Sequence, residues 1–338
     1  MRAPMRKKAI GVLAAALVLV QGGAVAQEPP APLQIVFIGK SYANPVFLAA
    51  HRGAEETAKE LSSKLGIPIE VMVMTPPGED PALQVKRVAI AVQQGVQGIA
   101  ISASEAVTLT KAINEAVAKG IAVMTFDVDL PESKRFAHYG VDDAKAGEMV
   151  LEELAGLLGG TGKVAILGGN PDAPNIKKRV AGVKKAAARH AGIKIVGEIH
   201  HLERPYDAAE EVLKVNAATP DLKGWAMVGG WPLFKSDLSA RLQEDLQTRN
   251  LKVVAVDALP EELPYVDKGI AVLLAQPVYQ WGAVCVRTIV DKVHFKKDVS
   301  GPIPMELVRV SRENLGGWAR QLRDWGFSPV PEEYLKLP

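Results

Sequence analysis

The sequence has little cysteine, few aromatic residues and no excess of charge of one sign. Cys285 is the only cysteine among 338 residues, so no disulfide can form within the chain. Aromatic residues make up 5% of the chain, and 40 basic residues stand against 38 acidic ones, a formal net charge of +2. Without a basic stripe, no nucleic-acid partner is expected. The hydrophobic fraction of 48% allows a large core, and the length favours two domains over one.

Motifs of several enzyme and cofactor classes are also missing. Residues 159–163 read Gly-Gly-Thr-Gly-Lys, but Val164 follows where a phosphate-binding loop requires serine or threonine. The turn after the first strand has only Gly39, whereas a dinucleotide-binding turn requires three glycines. None of the six histidines has the spacing of a metal-ligand set. The sequence therefore predicts no cofactor, no metal site and no catalytic residue.

The first 26 residues have the pattern of a secretory signal peptide. Four basic residues between positions 2 and 8 precede an apolar run from Ala9 to Val20, and Ala24-Val25-Ala26 follows. The run is too short to span a bilayer, so cleavage after Ala26 is expected. Removal of these residues leaves 36 basic and 38 acidic side chains, a net charge of −2. The pattern predicts an exported protein.

Apolar strands and helices alternate through the rest of the chain. Strand Ile35–Ile38 is followed by helix Pro45–Leu65, with Asn44 as the N-cap residue. Glycines end several helices, as at Gly66 and Gly95. Repeated strand–helix units predict a doubly wound parallel sheet, and the pattern restarts near His138. We therefore expect an α/β protein with two doubly wound parallel-sheet lobes.

Several local features carry expectations of their own. Helix Pro232–Arg249 and strand Met305–Val310 are each predicted as one element. Ser102 and Ser104 are expected to cap the helix that begins near Glu105. Cys285 is predicted to be a packed core thiol. Trp318, Trp325 and Phe327 have helix-like spacing, which indicates a C-terminal tail that packs on a lobe or faces a partner.

Polar and aromatic residues follow the carboxyl ends of successive predicted strands. These ends lie at one edge of a parallel sheet, where open α/β folds bind ligands. The residues are therefore expected to form one site. They are Lys40, Asn44 and Phe47 after the first strand, and Asp127, Asp129, residues 170–179 with Asn175 and Arg179, Tyr206, Trp231, Asp257 and Gln276 after later ones.

Four of these segments together resemble the type I periplasmic binding proteins for sugars, the ribose- and galactose-binding group. The likeness extends from about Leu33 to Val310. The matching segments are Lys40–Phe47, Phe126-Asp127 with the crossing at residues 133–143, Asn175–Arg179, and Val256-Asp257 with Gln276-Pro277. Departures include Val128, where the ribose group has arginine, and Gly230-Trp231, where relatives have an asparagine–aspartate pair.

The resemblance implies a periplasmic, monomeric protein that binds a monosaccharide or similar polyol between two lobes and delivers it to an ABC permease. The lobes would comprise residues 33–140 with 277–301 and residues 141–276 with 302–326. Three crossings would join them, near Tyr139–Asp142, Gln276–Pro277 and Gly301. Amides, carboxylates and the Arg179 guanidinium would bind hydroxyl groups, with Asp127 or Asp257 beside Arg179 keeping the cluster near neutral for an uncharged ligand. Phe47, Tyr206 and Trp231 would contact the apolar faces of the sugar.

Other interpretations remain open from the sequence. Lys40 and Asp129 are either ligand contacts or a solvated pair. The binding protein could present a sugar-like signal to a chemoreceptor or sensor kinase instead of a permease. A secreted enzyme that acts on a sugar through Asp127 and Asp257 is a further alternative, because paired carboxylates can serve as acid and base.

Overall fold

Strands and helices alternate throughout residues 31–338, which together with Met1 are the part of the chain that the structure, a computed structural model, describes. The predicted signal peptide and its cleavage site lie outside the described residues. The strands are β1 (Leu33–Ile38), β2 (Ile69–Val73), β3 (Gly98–Ile101), β4 (Ala122–Phe126), β5 (Ala137–Gly140), β6 (Thr161–Gly168), β7 (Gly192–His200), β8 (Leu222–Met227), β9 (Lys252–Val256), β10 (Ala271–Ala275), β11 (Gly301–Pro304) and β12 (Val308–Val310). The helices are α1 (Pro45–Leu65), α2 (Pro81–Gln94), α3 (Ala106–Ala118), α4 (Asp143–Leu157), α5 (Pro174–Ala187), α6 (Pro205–Ala218), α7 (Ser239–Thr248), α8 (Leu263–Asp267), α9 (Tyr279–Val293), α10 (Leu315–Asp324) and α11 (Glu332–Leu335).

Two six-stranded sheets organise these elements into two lobes. The first has the strand order β11-β5-β4-β3-β1-β2, and all of its pairs are parallel. The second has the order β12-β10-β9-β8-β6-β7 and is parallel except for the edge pair of β10 and β12. The predicted α/β fold with two doubly wound lobes is confirmed, with one antiparallel edge in the second lobe.

The first strand and helix form as their sequence predicts. Residues 35–38 of β1 are fully buried, as expected for an apolar strand covered on both faces. The Oδ1 of Asn44 accepts a hydrogen bond from the Val46 N–H at 3.3 Å, and Pro45 opens α1. Gly66 ends the helix in the left-handed conformation, with φ of 67°. Cys285 is buried in the core, as predicted.

One predicted helix is divided in the structure. The predicted helix Pro232–Arg249 consists of a short 3₁₀ turn at Trp231–Leu233 and, after a loop, α7. Serine side chains in the loop replace helical hydrogen bonds, because the Ser236 N–H donates to Ser239 Oγ at 2.8 Å. Helix α8 begins at Leu263 and was not predicted from the sequence.

Only the end of the predicted strand Met305–Val310 is a strand, and a strand that was not predicted precedes it. Residues 301–304 form β11 in the first sheet, and residues 308–310 form β12 in the second. The chain therefore crosses between the sheets at residues 305–307 rather than at Gly301, and the first sheet extends three residues past the expected lobe boundary. The other two passages lie between β5 and α4 and between β10 and α9, where they were expected.

Each lobe contains one pair of helices that approach closely through glycines. In the first lobe, a Cβ atom on Gly53 of α1 would lie 2.0 Å from the Tyr279 carbonyl oxygen of α9, and one on Gly282 would lie 1.9 Å from the Ala50 carbonyl oxygen. In the second lobe, a Cβ atom on Gly147 of α4 would lie 1.9 Å from the Arg179 carbonyl oxygen of α5. These positions have no space for a side chain.

Candidate functional site

Loops from both sheets face each other around a cavity of about 360 Å³, which we call the interlobe cavity. The first sheet contributes segments after β1 and β2, and the second contributes segments after β6 and β7. Each segment follows the carboxyl end of a parallel strand, the usual ligand-binding edge of such sheets. The polar side chains of the lining are Lys40, Ser41, Asn44, Glu79, Asn170, Glu203 and Arg204, and the larger apolar ones are Phe47 and Leu202.

Lys40 joins the two lobes at this cavity. Its side chain is 4% exposed, and its Nζ lies 3.4 Å from Glu79 Oε1 in the first lobe and 3.6 Å from Glu203 Oε2 in the second. Burial lowers the pKa of the Lys40 ammonium, but the nearby carboxylates of Glu203 and Glu79 outweigh this effect, so the pKa lies above its ordinary value. Lys40 is therefore a charged group held between carboxylates of opposite lobes.

The structure contradicts the proposed pairing of Lys40 with Asp129. Asp129 instead accepts a hydrogen bond from Arg135 Nη2 at 2.7 Å and another from Thr125 Oγ1 at 3.0 Å. Lys40 is buried rather than solvated. The sequence did not show which carboxylates lie near Lys40, because its two partners, Glu79 and Glu203, come from loops that follow other strands.

Arg179 is the centre of a second buried set of polar side chains. Its Nε donates to Asp143 Oδ1 at 2.9 Å, and its Nη2 donates to Gln276 Oε1 at 3.3 Å. Gln276 Nε2 in turn donates to Asp257 Oδ1 at 2.8 Å. Three residues expected in the site, Arg179, Gln276 and Asp257, thus form one hydrogen-bonded chain. Burial raises the pKa of Asp143 and of Asp257.

Asp127 and Asp257 end equivalent strands in the two lobes with the same unusual backbone. Asp127 directly follows β4 with φ of 58°, and Asp257 directly follows β9 with φ of 85°. Aspartate and asparagine are enriched among the non-glycine residues that adopt this left-handed region. Burial raises the pKa of Asp127 to about 6, although Lys40 and Arg179 act in the opposite direction. Asp127 therefore lies within electrostatic reach of both buried cations.

The two serines expected to cap α3 have other roles. Glu105 caps this helix, because its carboxylate accepts hydrogen bonds from the Val107 and Thr108 N–H groups. Ser102 Oγ instead donates to Asp127 Oδ2 at 2.7 Å, so it belongs to the site. Ser104 Oγ is buried and has no hydrogen-bond partner among the described residues.

The aromatic residues expected to contact a ligand are not brought together. Phe47 lines the cavity and stacks on Trp281, with ring centroids 5.8 Å apart. The Trp231 ring packs edge-on against His201 at 5.0 Å and is 5% exposed. Tyr206 is 48% exposed and lines a separate groove with Leu238, so the structure does not place it at the cavity. Tyr206 therefore lies outside the interlobe cavity, although Pro205 before it lines the cavity.

Asn175 is a predicted site residue with an unused hydrogen-bond acceptor. Its side chain is buried, and its Oδ1 has no partner among the described residues. Asn175 precedes Arg179 by four residues on α5, so both lie on the same face of that helix. The Asn175 Oδ1 atom can therefore accept a hydrogen bond from a bound ligand.

Three carboxylates of the site were missed from the sequence. Glu79 and Glu203 follow β2 and β7, so the same strand-end rule that selected the other residues would have found them. Asp143 begins α4 and looks like an ordinary acidic residue in a first turn. Its contact with Arg179 depends on how α4 packs against α5, which no local pattern reveals.

Neither a metal site nor a membrane span is seen in the described part of the chain. No group of three or more potential metal-ligating side chains occurs within it. Among its helices, none is both long enough and apolar enough to cross a bilayer.

Residues 35–297 match the family described as the periplasmic binding protein domain. The chain belongs to the periplasmic binding protein family. This match covers the strand ends of both lobes, so the interlobe cavity of this periplasmic binding protein lies wholly within the family's domain.

Individual relatives agree with this assignment. The chain is 29% identical over 144 residues to the ribose import binding protein of Bacillus subtilis, a match that covers 43% of this chain and 45% of that relative. A solute-binding protein of an ABC transporter from Burkholderia graminis, solved with D-arabinose, superposes with a TM-score of 0.73 at 25% identity, covering 83% of this chain and 96% of the other. A glucose-galactose binding protein from Geobacillus stearothermophilus gives a TM-score of 0.72 at 25% identity, with 85% and 99% coverage.

Proposed function

We propose that this protein captures a sugar in the interlobe cavity and delivers it to an ABC importer in the inner membrane, without chemical conversion. The observation that carries the proposal is the buried chain of Arg179, Gln276 and Asp257 at the carboxyl ends of the second sheet. Sugar hydroxyls both donate and accept hydrogen bonds, and such a mixture of guanidinium, amide and carboxylate groups can satisfy them.

Two further features support a sugar as the ligand. Phe47 presents an aromatic ring to the cavity, and aromatic rings pack well on the apolar face of a sugar. The relatives named above include a ribose import protein and proteins bound to or named for arabinose, glucose and galactose. Closure of the lobe of the first sheet onto the lobe of the second sheet would then bury the ligand by a hinge motion in the periplasm.

Thermal-shift and calorimetric titration of residues 27–338 against pentoses, hexoses and amino acids tests the proposal. At least one sugar should raise the melting temperature and bind with a measurable Kd, because a ligand that binds only the folded state stabilises it. Stabilisation by an amino acid but by no sugar would overturn the ligand class. Release of an aryl group from aryl glycosides would overturn the absence of catalysis.

Asn175→Ala provides a sharper test of the site. Loss of the unpaired Oδ1 should raise the Kd of the bound sugar at least about tenfold, since a hydrogen bond of about 1.4 kcal/mol corresponds to a factor of ten. The melting temperature of the ligand-free protein should change little, because Oδ1 has no protein partner to lose. Gln247→Ala, on the exposed face of α7, serves as the control with an unchanged Kd. Equal Kd values for both variants would remove Asn175 from the site.

A further inference from the structure

The charged side chains at the interlobe cavity and in the buried set around Arg179 include more carboxylates than cations. Two cations, Lys40 and Arg179, are each 3% exposed. Five carboxylates accompany them, and these seven residues are called the cavity cluster. The carboxylates are Glu79, Asp127, Asp143, Glu203 and Asp257.

The cavity cluster is electrostatically continuous. The pKa of Lys40 responds to Glu203, Glu79 and Asp127. The pKa of Arg179 responds to Asp143, Asp127 and Asp257. Asp127 is therefore shared between the two cations, whereas Glu79 and Glu203 act on Lys40 and Asp143 and Asp257 act on Arg179. The sequence-based expectation of a near-neutral cluster counted Asp127, Asp257 and Arg179 but missed the three other carboxylates.

Charged groups nearby do not restore the balance. Arg204 at the rim is exposed and pairs with Asp207, Nε to Oδ2 at 2.6 Å. Lys178 is exposed, and its charge opposes the rise that burial causes in the pKa of Asp143. Burial lowers the pKa of His201 to about 4, so this ring is neutral near pH 7. Burial and the nearby Asp257 carboxylate raise the pKa of Glu262 well above its ordinary value, and a carboxyl group adds no cation in either protonation state.

Uncompensated charge in a buried site is costly unless a partner of opposite sign is present. One carboxylate oxygen is free to accept from such a partner, because Asp127 Oδ1 receives no side-chain or backbone donor among the described residues. The interlobe cavity, which Glu79 and Glu203 line, has the volume of a small ligand, and the unpaired Oδ1 of Asn175 lies on the helix face that carries Arg179.

We propose that the preferred ligand of the interlobe cavity is a cationic sugar, in which a protonated amine replaces one hydroxyl group. The proposal rests on the proposed sugar-binding function and refines it. The ammonium group would lie among the carboxylates of the cavity cluster and donate hydrogen bonds to them, one of these to Asp127 Oδ1. A neutral sugar of the same shape would leave the surplus negative charge unbalanced.

The test extends the sugar panel with matched sets. For glucose, galactose and mannose, the free sugar is compared with its 2-amino-2-deoxy form and its neutral 2-N-acetyl form by calorimetry at pH 7 and low ionic strength. At least one amino sugar should bind about tenfold or more tightly than its parent, and acetylation should abolish the gain. If a neutral sugar binds as tightly as its amino form, the charge inference is wrong while the sugar-binding function stands. If no member of the panel binds, both fail.

Charge-neutralising variants separate electrostatic from steric effects. Asp127→Asn and Asp257→Asn keep the side-chain shape, and asparagine tolerates their left-handed backbone. Each should reduce the preference for the amino sugar over its parent at least about fivefold. Glu244→Gln removes an exposed carboxylate of α7 and should leave this preference unchanged. An identical preference in all four proteins, wild type included, would contradict the inference, and a change in Glu244→Gln equal to that in Asp127→Asn would attribute it to long-range charge.

Discussion

Asp127 combines three properties at one residue. Its backbone is left-handed with φ of 58°, its side chain is 6% exposed, and its Oδ2 accepts a hydrogen bond from Ser102. Alanine at this position would remove the hydrogen bond and also strain the backbone, so its effect could not be assigned to the carboxylate alone. Asparagine keeps both the shape and the backbone preference, which makes Asp127→Asn the informative substitution.

We expect the ligand-free protein to show the titration of Asp127 in its stability. The folded-state pKa of about 6 lies above the ordinary value of 3.8, so the folded state keeps its proton longer than the unfolded state does. The Asp127 contribution to the free energy of unfolding should therefore fall as pH rises from about 4 to about 6, by up to about 3 kcal/mol. Urea unfolding of wild type and Asp127→Asn across this range should show a growing advantage of the variant, whereas parallel curves would contradict it.

The residues that line the cavity were predictable only in part. Lys40, Asn44 and Phe47 follow β1 within a few positions, so the strand end alone locates them. Glu203 and Tyr206 are three residues apart after β7, yet only Glu203 reaches the cavity. The rotation of α6 against its neighbours decides between them, and that rotation is set by packing rather than by the local sequence.

Helix pairs with glycine contacts fix the geometry of both lobes at the level of elements. Gly53 and Gly282 let α1 and α9 approach until backbone meets backbone, and Gly147 does the same between α4 and α5. The second contact touches the Arg179 carbonyl group. Helix packing in the second lobe therefore positions the residue that holds Gln276 and Asp143.

Alanine at the helix contacts should be destabilising even though alanine favours helices. Gly53→Ala and Gly282→Ala would each place a Cβ atom about 2 Å from a carbonyl oxygen, so the helices must separate, at a cost of about 1–3 kcal/mol or more. Gly156→Ala, at an open position in α4, should instead be neutral or gain about 0.5–1 kcal/mol. Chemical denaturation measures all three, and equal effects at positions 53 and 156 would show that the contact is not tight.

Elements with strong local signals were the ones that the sequence located well. Helices α1 and α2 begin at an Asn-Pro and an Asp-Pro pair and end at glycines, and their predicted bounds match the structure. The segment around α7 has serine hydroxyls that compete with helical hydrogen bonds, and its prediction as one long helix was wrong. Strand β11 was not predicted and β12 was predicted three residues too long, because both strands are short and their pairing partners lie far away in the sequence.

At the scale of the whole molecule, the C-terminal segment connects the lobes. Trp318 Nε1 donates to the Ala258 carbonyl oxygen at 2.8 Å, which attaches α10 to the second lobe. Trp325 stacks on Tyr279 of α9, with centroids 5.9 Å apart and planes 5° from parallel. Helix α9 packs against α1 of the first lobe. The tail, which from the sequence could pack on a lobe or face a partner, packs on elements of both lobes.

Removal of this stack should allow the ligand-free protein to open further. Trp325→Leu loses the ring contact with Tyr279, so the radius of gyration from small-angle scattering should increase relative to wild type. Tyr279→Phe keeps the stacked ring and loses only the exposed hydrogen bond to Glu56, so it should keep the wild-type dimensions. An unchanged radius of gyration in Trp325→Leu would show that the tail does not restrain the lobes.

The charged groups around Lys40 make the hydration of the cavity depend on whether the lobes are open or closed. The Lys40 ammonium is held by carboxylates of opposite lobes, so any widening of the cavity lets water reach Lys40, Glu79 and Glu203 together. Charged groups are strongly hydrated, and an empty cleft therefore gains hydration free energy when it opens. A bound ligand that forms hydrogen bonds with these charged side chains replaces water as their partner, so opening no longer lowers the free energy. We expect the two lobes to close on a bound ligand and to stay open when no ligand is bound.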